Sequence, residues 1–106
     1  MIVAGMDIGS ITTEAVILEE NQILASTILP TGANSRKAAE RSLAAAWEEA
    51  KLNQEDLAAM VTTGYGRASF PGANKMITEI TCHARGAFFL RPSTRTVIDI
   101  GGQDSK

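Results

Sequence analysis

The sequence predicts an α/β fold with a five-stranded mixed sheet and flanking helices. Short apolar runs bounded by glycine, proline or polar turn residues recur along the chain, and two segments with helical spacing of apolar residues separate the later runs. The apolar fraction of 44% over 106 residues is enough for one hydrophobic core. We therefore predict one domain over residues 1–106, with elements in the order β-β-β-α-β-α-β.

An antiparallel meander is predicted at the start of the chain. Residues 2–8, 15–18 and 23–29 are apolar runs of strand length, and the polar residues 19–22 favour a hairpin turn between the second and third runs. A helix follows, with Ser35 as its predicted N-cap. Its apolar stripe consists of Ala39, Leu43, Ala46, Trp47 and Ala50.

The second half of the chain predicts two strands parallel to the first. Residues 57–63 form an apolar run, a second helix is predicted from about Lys75 to residue 90, and residues 96–100 form the last strand. Crossovers between parallel strands are right-handed, and this order is that of a ribonuclease-H-like fold. Such a sheet binds ligands at the carboxyl ends of its strands, where Asp7, Gly64 and Asp99 are expected.

Composition argues against several classes of partner. The net charge of −2 lacks the basic excess that binding to a nucleic-acid backbone requires, so no nucleic acid is expected. No apolar run is long enough to cross a bilayer, so no membrane partner is expected. Cys82 is the only cysteine, which rules out an intrachain disulfide and predicts a cytoplasmic protein.

The first predicted strand brings a carboxylate to a glycine turn. Asp7 is followed by a segment that combines close backbone approach with hydroxyls able to donate to phosphate oxygens, and the carboxylate itself suits Mg²⁺. The residues of that segment are Gly9, Ser10, Thr12 and Thr13. The structural alternative is a hairpin turn in which Asp and Gly act only as turn formers.

The end of the chain carries a second version of this pattern. Asp99 follows an apolar run and precedes Gly101, Gly102 and Gln103, so that successive N–H groups can face an anion. A plain exit from a strand would explain the same residues. Because the predicted topology brings both patterns to one edge of the sheet, together they favour a phosphate site.

Other polar residues near this edge have both structural and functional explanations. Glu79 is predicted near the start of the second helix, where a carboxylate can orient water in phosphoryl transfer or simply complement the helix dipole. Arg67, after the Gly64 turn, can face a phosphate or a partner, or remain on an exposed turn. Cys82 and His83 point apart on a helix and lack further metal ligands, which favours structural roles.

Four segments in this order resemble the ATPase activator family of 2-hydroxyacyl-CoA dehydratases, which includes the ATP-binding subunits of benzoyl-CoA reductase. They are GMDIGS at 5–10, TGYGR at 63–67, EITCHARGA at 79–87 and DIGGQDSK at 99–106. The first is shared with the wider actin, hexokinase and heat-shock-70 chaperone superfamily, and the last two are specific to the family. The resemblance implies the N-terminal lobe of a two-lobed ATPase.

The resemblance also implies roles for individual residues. Asp7 and Asp99 would hold Mg²⁺ and, with Glu79, would serve catalysis. The phosphates of ATP would be bound by Gly9, Ser10, Thr12, Thr13, Gly101, Gly102 and Gln103. ATP hydrolysis would drive a low-potential electron from a [4Fe–4S] cluster to a dehydratase or reductase component, and the full-length form would be a homodimer.

Two positions depart from the family pattern. Ile11 stands where the family often has Ser or Thr, and Glu14 where it usually has Lys, which lowers the expected nucleotide affinity. The family's adenosine-binding surface and cluster cysteines lie beyond residue 106, so the chain alone is expected to be inactive as an ATPase. The alternatives are a non-catalytic truncated lobe that acts only in dimerisation or docking, and a metal-dependent nuclease.

Overall fold

A mixed sheet forms the centre of the molecule. The structure, a computed structural model, describes residues 1–20, 22–70, 72–77, 81–82 and 85. The five strands are β1 (Ile2–Ile8), β2 (Thr12–Glu19), β3 (Gln22–Pro30), β4 (Leu57–Thr63) and β5 (Lys75–Met76), in the spatial order β3-β2-β1-β4-β5. The pairs β1–β2 and β2–β3 are antiparallel, whereas β1–β4 and β4–β5 are parallel. The predicted fold class and the predicted meander are therefore confirmed.

The meander extends further than its apolar runs. β2 begins at Thr12 and ends at Glu19. Four of its residues lie outside the apolar run at 15–18. These flanking polar residues still pair with β1 and β3, because a ladder needs only backbone groups from each residue. Glu19 is the Cα partner of Gln22, and Glu20 between them adopts a positive φ of 55°, as a tight hairpin turn requires.

Helix α1 (Ser35–Ala50) covers one face of the sheet, where it packs on β1, β2 and β3. Its buried residues are Ala38, Ala39, Ser42, Leu43, Ala46 and Trp47. This confirms the predicted stripe except at Ala50, which is only partly buried because it lies in the last turn of the helix.

The N-cap of α1 is Asn34, so the prediction of Ser35 is wrong by one residue. Asn34 is extended, and its side-chain oxygen accepts a hydrogen bond from the Lys37 N–H at 3.0 Å. Ser35 is instead the first helical residue, and its hydroxyl donates to the Ser69 hydroxyl at 3.3 Å. Either residue type can cap a helix, and the backbone conformation at Asn34 decided between them.

Strand alternation divides the sheet into a core face and an opposite face. The core face packs against α1 and contains Ala4, Met6, Ile8, Ala15, Ile17, Ala25 and Met60. Because successive side chains of a strand point to opposite faces, Asp7, Glu14 and Thr63 lie on the face away from α1. The core thus leaves the polar strand ends on the other side of the sheet.

Strand β5 occupies residues for which the sequence predicts the start of the second helix. Asn74 explains the difference, since its N–H donates to the Met60 carbonyl at 2.8 Å. Its side-chain Oδ1 also accepts from the Met60 N–H at 2.7 Å. These two hydrogen bonds to β4 hold the following residues, Lys75–Met76, in an extended conformation beside it. The predicted start of the second helix at about Lys75 is therefore wrong.

The later elements are described only in part. Thr81, Cys82 and Arg85 have helical backbone, consistent with a helix that begins after β5. The predicted strand at 96–100 lies outside the described residues. In the ranges that the structure covers, no helix combines the length and the hydropathy of a transmembrane segment.

The assigned core can be tested with two isoleucines. Ile17→Ala should lower the free energy of unfolding by about 2 to 5 kcal/mol, because a fully buried side chain on β2 would leave a cavity. Ile28→Ala is the matched control, since this side chain on edge strand β3 is 68% exposed; a change of about 0.5 kcal/mol or less is expected. Urea denaturation followed by Trp47 fluorescence measures both, and equal losses would contradict the assigned core.

Candidate functional site

The carboxyl ends of β1 and β4 lie side by side at the centre of the site. Asp7 on β1 is the register partner of Thr63 on β4 and, on its other side, of Glu14 on β2. Paired residues of neighbouring strands point to the same face of a sheet. The three side chains therefore form one row, which we call the strand-tip row, with two carboxylates and one hydroxyl.

Gly64 allows β4 to approach the end of β1 closely. Its φ is +90°, and a Cβ at this position would lie 2.4 Å from the Ile8 carbonyl oxygen and 2.6 Å from Asp7 Oδ1. The Gly66 N–H donates to the same Ile8 carbonyl at 2.8 Å. No side chain fits at Gly64, so the glycine sets the contact. The prediction that Asp7 and Gly64 meet at one edge of the sheet is confirmed.

Arg67 stabilises the turn that follows β4. Its backbone N–H and its Nη1 both donate to the Gly64 carbonyl, at 3.1 and 3.0 Å. Its own carbonyl accepts from the Thr62 hydroxyl at 3.0 Å. Of the roles that the sequence left open for Arg67, these contacts favour a structural one, in which a half-buried guanidinium braces its own turn.

The turn between β1 and β2 is held from both sides. The Gly9 N–H donates to the Thr12 carbonyl at 3.0 Å, and that oxygen lies 2.8 Å from where a Cβ of Gly9 would be. Thr31 donates twice to the turn, from its N–H to the Ile11 carbonyl at 2.9 Å and from its hydroxyl to the Gly9 carbonyl at 2.8 Å. These bonds connect the turn to the residue that follows β3.

The N–H groups of Ser10 and Ile11 are donors in this turn that the protein's described backbone does not use. Both residues are exposed, and within the described ranges neither N–H has a hydrogen-bond acceptor. The N–H of Gly9, by contrast, is already bonded to Thr12. An anion can therefore be bound at Ser10 and Ile11. The sequence does not reveal Ile11, because its contribution comes from the backbone and its side chain suggests only packing.

The two threonines of this segment point to opposite faces of the sheet. Thr12 is exposed, and its hydroxyl donates to Glu14 Oε1 at 3.0 Å. Thr13 is fully buried, and its hydroxyl shares a 2.8 Å hydrogen bond with that of Thr31. A phosphate role for Thr13 conflicts with this position, because the hydroxyl is enclosed beneath the turn. Thr13 instead supports the residue that holds Gly9.

Thr63 is a polar residue of the site that the sequence did not single out as a ligand. Its side chain is 7% exposed, and its hydroxyl has no hydrogen-bond partner among the residues that the structure describes. Its position directly before Gly64, at the end of a strand, is the signal that would have marked it. In the same row, the Asp7 carboxylate offers oxygen ligands of the kind that a hard cation such as Mg²⁺ prefers.

Several predicted site residues lie outside the described residues. They are Glu79, Asp99, Gly101, Gly102 and Gln103, together with His83. The expected meeting of Asp7 with Asp99 therefore stays a prediction. Cys82 is a half-buried free thiol. Within the described ranges, no group of three or more His, Cys, Asp or Glu side chains is placed to hold a metal ion.

A surface groove of about 330 Å³ lies elsewhere, between α1 and the segment after β4. Arg36, Leu43 and Trp47 line it from the helix, and Phe70 lines it from the opposite side. None of these residues belongs to the strand-tip row or to the β1–β2 turn.

The close contact at Gly64 gives a stability test with a matched control. Gly64→Ala should lower the free energy of unfolding by more than about 2 kcal/mol, since a Cβ would overlap the Ile8 carbonyl in addition to straining the positive φ. Gly32→Ala meets nothing within 4 Å at a φ of +66°, so only the strain of about 1 kcal/mol is expected. Denaturant unfolding of both variants measures the difference. Similar losses would contradict the close approach of the two strand ends.

Comparisons of the sequence and of the structure with known proteins point to the same family. Residues 4–106 match the BadF/BadG/BcrA/BcrD ATPase family. The activator of lactoyl-CoA dehydratase from Anaerotignum propionicum is 46% identical over 107 residues, which cover 100% of this chain and 41% of that protein. The chain spans about two fifths of the length of the curated relatives it matches.

Two solved structures share the fold over 99% of this chain. Component A of the (R)-2-hydroxyglutaryl-CoA dehydratase from Acidaminococcus fermentans is 39% identical with a TM-score of 0.93, and 41% of that chain is covered. The activator of the 2-hydroxyisocaproyl-CoA dehydratase from Clostridium difficile with bound ADPNP is 42% identical with a TM-score of 0.91, and 39% of it is covered. Because the family match extends over residues 4–106, the chain belongs to the BadF/BadG/BcrA/BcrD ATPase family.

Proposed function

We propose that this chain is the phosphate-binding lobe of an ATP-hydrolysing activator of a 2-hydroxyacyl-CoA dehydratase or a benzoyl-CoA-type reductase. One observation carries the proposal: Asp7 lies next to a hydrogen-bonded turn in which the N–H groups of the exposed residues Ser10 and Ile11 have no acceptors in the described ranges. A carboxylate for a hydrated cation beside backbone donors for an anion is what a metal-bound phosphate needs. The solved relative from Clostridium difficile that contains ADPNP supports the same function.

The proposed roles follow from these positions. Asp7, with Asp99, would hold Mg²⁺, while Ser10, Ile11 and Thr12 would contact the terminal phosphates. Mg²⁺ supplies charge neutralisation on the phosphates when it is bound. Catalysis would then depend mainly on positioning, with Glu79 orienting the attacking water, because phosphoryl transfer requires little covalent chemistry from the protein.

The activity of the whole protein goes beyond this lobe. ATP hydrolysis would drive a low-potential electron from a [4Fe–4S] cluster, in a cytoplasmic homodimer, to the dehydratase or reductase component. The similar proteins described as dehydratase activators support this assignment. Since the chain spans about two fifths of their length, the nucleoside-binding surface and the cluster ligands would lie in the remainder.

Calorimetric titration of the 106-residue chain tests the proposed lobe function. Mg-ATP and magnesium triphosphate should bind with dissociation constants within about threefold of each other, because the lobe contacts the phosphates and not the nucleoside. Adenosine should not bind. Absence of binding by both phosphate compounds would favour the non-catalytic docking alternative, and preferential binding of adenosine would contradict a phosphate-binding role.

Glu14 provides a test of charge beside the turn. Glu14→Lys should tighten Mg-ATP binding by about three- to tenfold at low ionic strength, because it removes a negative charge near the phosphates and releases the Thr12 hydroxyl from its 3.0 Å bond to Glu14. Glu19→Lys makes the same change in net charge at the far end of β2 and is the control. An equal gain for both variants would show a general charge effect and would argue against phosphate at this turn.

A further inference from the structure

We propose that two copies of this chain associate through the outer edge of β3 and the adjoining flank of α1, about a two-fold axis perpendicular to the sheet. In this dimer the two β3 strands pair antiparallel and join the sheets, and the two α1 helices pack side by side on the same face. The inference goes beyond the proposed function, because it concerns a surface away from the strand-tip row and needs no nucleotide.

Strand β3 has an edge without the usual protection against further pairing. It is the last strand on one side of the described sheet and has nine residues, whereas protected edge strands are often very short. From Gln22 to Pro30 it contains no Asp, Glu, Lys or Arg, although charged residues commonly prevent edge-to-edge pairing. Ile23 and Ile28 are 56% and 68% exposed. Such an edge is suited to accept another strand.

The second half of β3 has the regular geometry that pairing with a copy requires. One bulge, at Leu24, interrupts its pairing with β2, and from Ala25 onward the register is unbroken. Because the strand is uncharged, antiparallel pairing with its own copy brings no like charges together. An axis near Thr27 also places the two Ile28 side chains diagonally across from each other, so that both lose exposed apolar surface.

Helix α1 lies where the same axis brings it against its copy. Its contacts are mainly with β2 and β3, and the Thr27 hydroxyl donates to the Ser42 carbonyl at 2.9 Å, which holds the middle of the helix over the middle of β3. Since strands are about 4.8 Å apart, a helix centred between β2 and β3 lies about 5 Å from an axis just outside β3. The two helices are then about 10 Å apart, close to the spacing of roughly 8 to 10 Å between packed helices.

The flank of α1 beside β3 is self-complementary in charge. The surface groove lies on the β4 side of the helix, and the opposite flank contains Arg41, Ala45 and Glu49 on successive turns. Arg41 and Glu49 are exposed, and neither forms an ion pair within the described part of the chain. An axis near Ala45 places each Arg41 opposite the Glu49 of the other copy. Ala45 is one turn from Ser42, so one axis serves both β3 and α1.

The charge order along α1 is unfavourable for an isolated helix. Its first turn contains Arg36 and Lys37 and no acidic residue, and its last turn contains Glu48 and Glu49 and no basic residue. This order opposes the helix macrodipole, whose positive end is the N-terminus. An antiparallel copy compensates for it, because the basic end of one helix lies beside the acidic end of the other. Charge complementarity therefore favours a second copy of this chain over an extended segment of another protein.

Sedimentation equilibrium of the nucleotide-free 106-residue chain at low salt tests the proposal. The unaltered chain should dimerise with a dissociation constant on the order of 10 μM, as expected of a small interface. Arg41→Glu and Glu49→Arg should each weaken dimerisation by about tenfold, because each places like charges opposite one another. The combined variant R41E/E49R should return to within about threefold of the unaltered chain, since it only exchanges the partners.

Two further variants separate edge pairing from a general effect of charge. Ile28→Lys should abolish dimerisation with an unchanged far-ultraviolet circular dichroism spectrum, because the side chain is exposed and a charge on an edge strand opposes pairing. Arg36→Glu makes the same change in charge as Arg41→Glu on the groove side of α1, away from the axis, and should weaken dimerisation by no more than about threefold.

Three outcomes would overturn the proposal. They are a monomeric unaltered chain at about 1 mM, failure of the combined variant to recover, and an equal loss for Arg36→Glu and Arg41→Glu. Because no nucleotide is present, each of these outcomes leaves the result of the Mg-ATP titration unaffected. The dimer and the proposed function therefore fail separately.

Discussion

The contact between Gly64 and the end of β1 determines the geometry of the whole site. At this point the backbone of β4 comes so close to the Ile8 carbonyl that a side chain would overlap it, and the Gly66 N–H satisfies that carbonyl from the same segment. The contact keeps β4 in register with β1 up to its last residue, which places Thr63 beside Asp7. A different residue at Gly64 would separate the two strand ends, and the polar groups would no longer share one site.

The opposite side of β1 is held by hydroxyl groups. Thr31 connects the β1–β2 turn to the entrance of α1, and Thr13 supports Thr31 from within the core. The end of the central strand is therefore held by contacts on both sides, from Gly64 and from Thr31.

Donors and acceptors are segregated within this site. The exposed N–H groups of Ser10 and Ile11 lie in the turn, whereas the carboxylates of Asp7 and Glu14 lie on the adjoining strands. The first pair suits phosphate oxygens and the second suits a cation, so the separation matches the two parts of a metal-bound phosphate. Glu14 accepts a hydrogen bond from the Thr12 hydroxyl and so occupies it within the protein.

The elements of the fold were largely predictable because their signals are local. β1 and β4 have the bounds that their apolar runs indicate, and the stripe of α1 follows from helical periodicity. β5 was not predictable in this way, since only two residues pair and the cause is the contact of Asn74 with Met60, fourteen positions earlier. The N-cap was not predictable either. Asn34 and Ser35 are both good capping residues, and only the extended backbone at Asn34 shows which of them caps the helix.

For the candidate site, the sequence by itself determined the family resemblance, the carboxylate of Asp7 and the glycine turns at 9 and 64, because these depend on residue type and spacing. Only the tertiary structure decided which groups are exposed at this edge of the sheet. Strand pleating places Thr13 in the core and Thr12 on the outside. In the turn, the Gly9 N–H is bonded to Thr12, whereas those of Ser10 and Ile11 have no acceptor among the described residues. The register of β1 and β4 places Thr63 beside Asp7. Each of these outcomes depends on pairing between strands, and a single-residue shift in register would reverse the direction of every side chain involved.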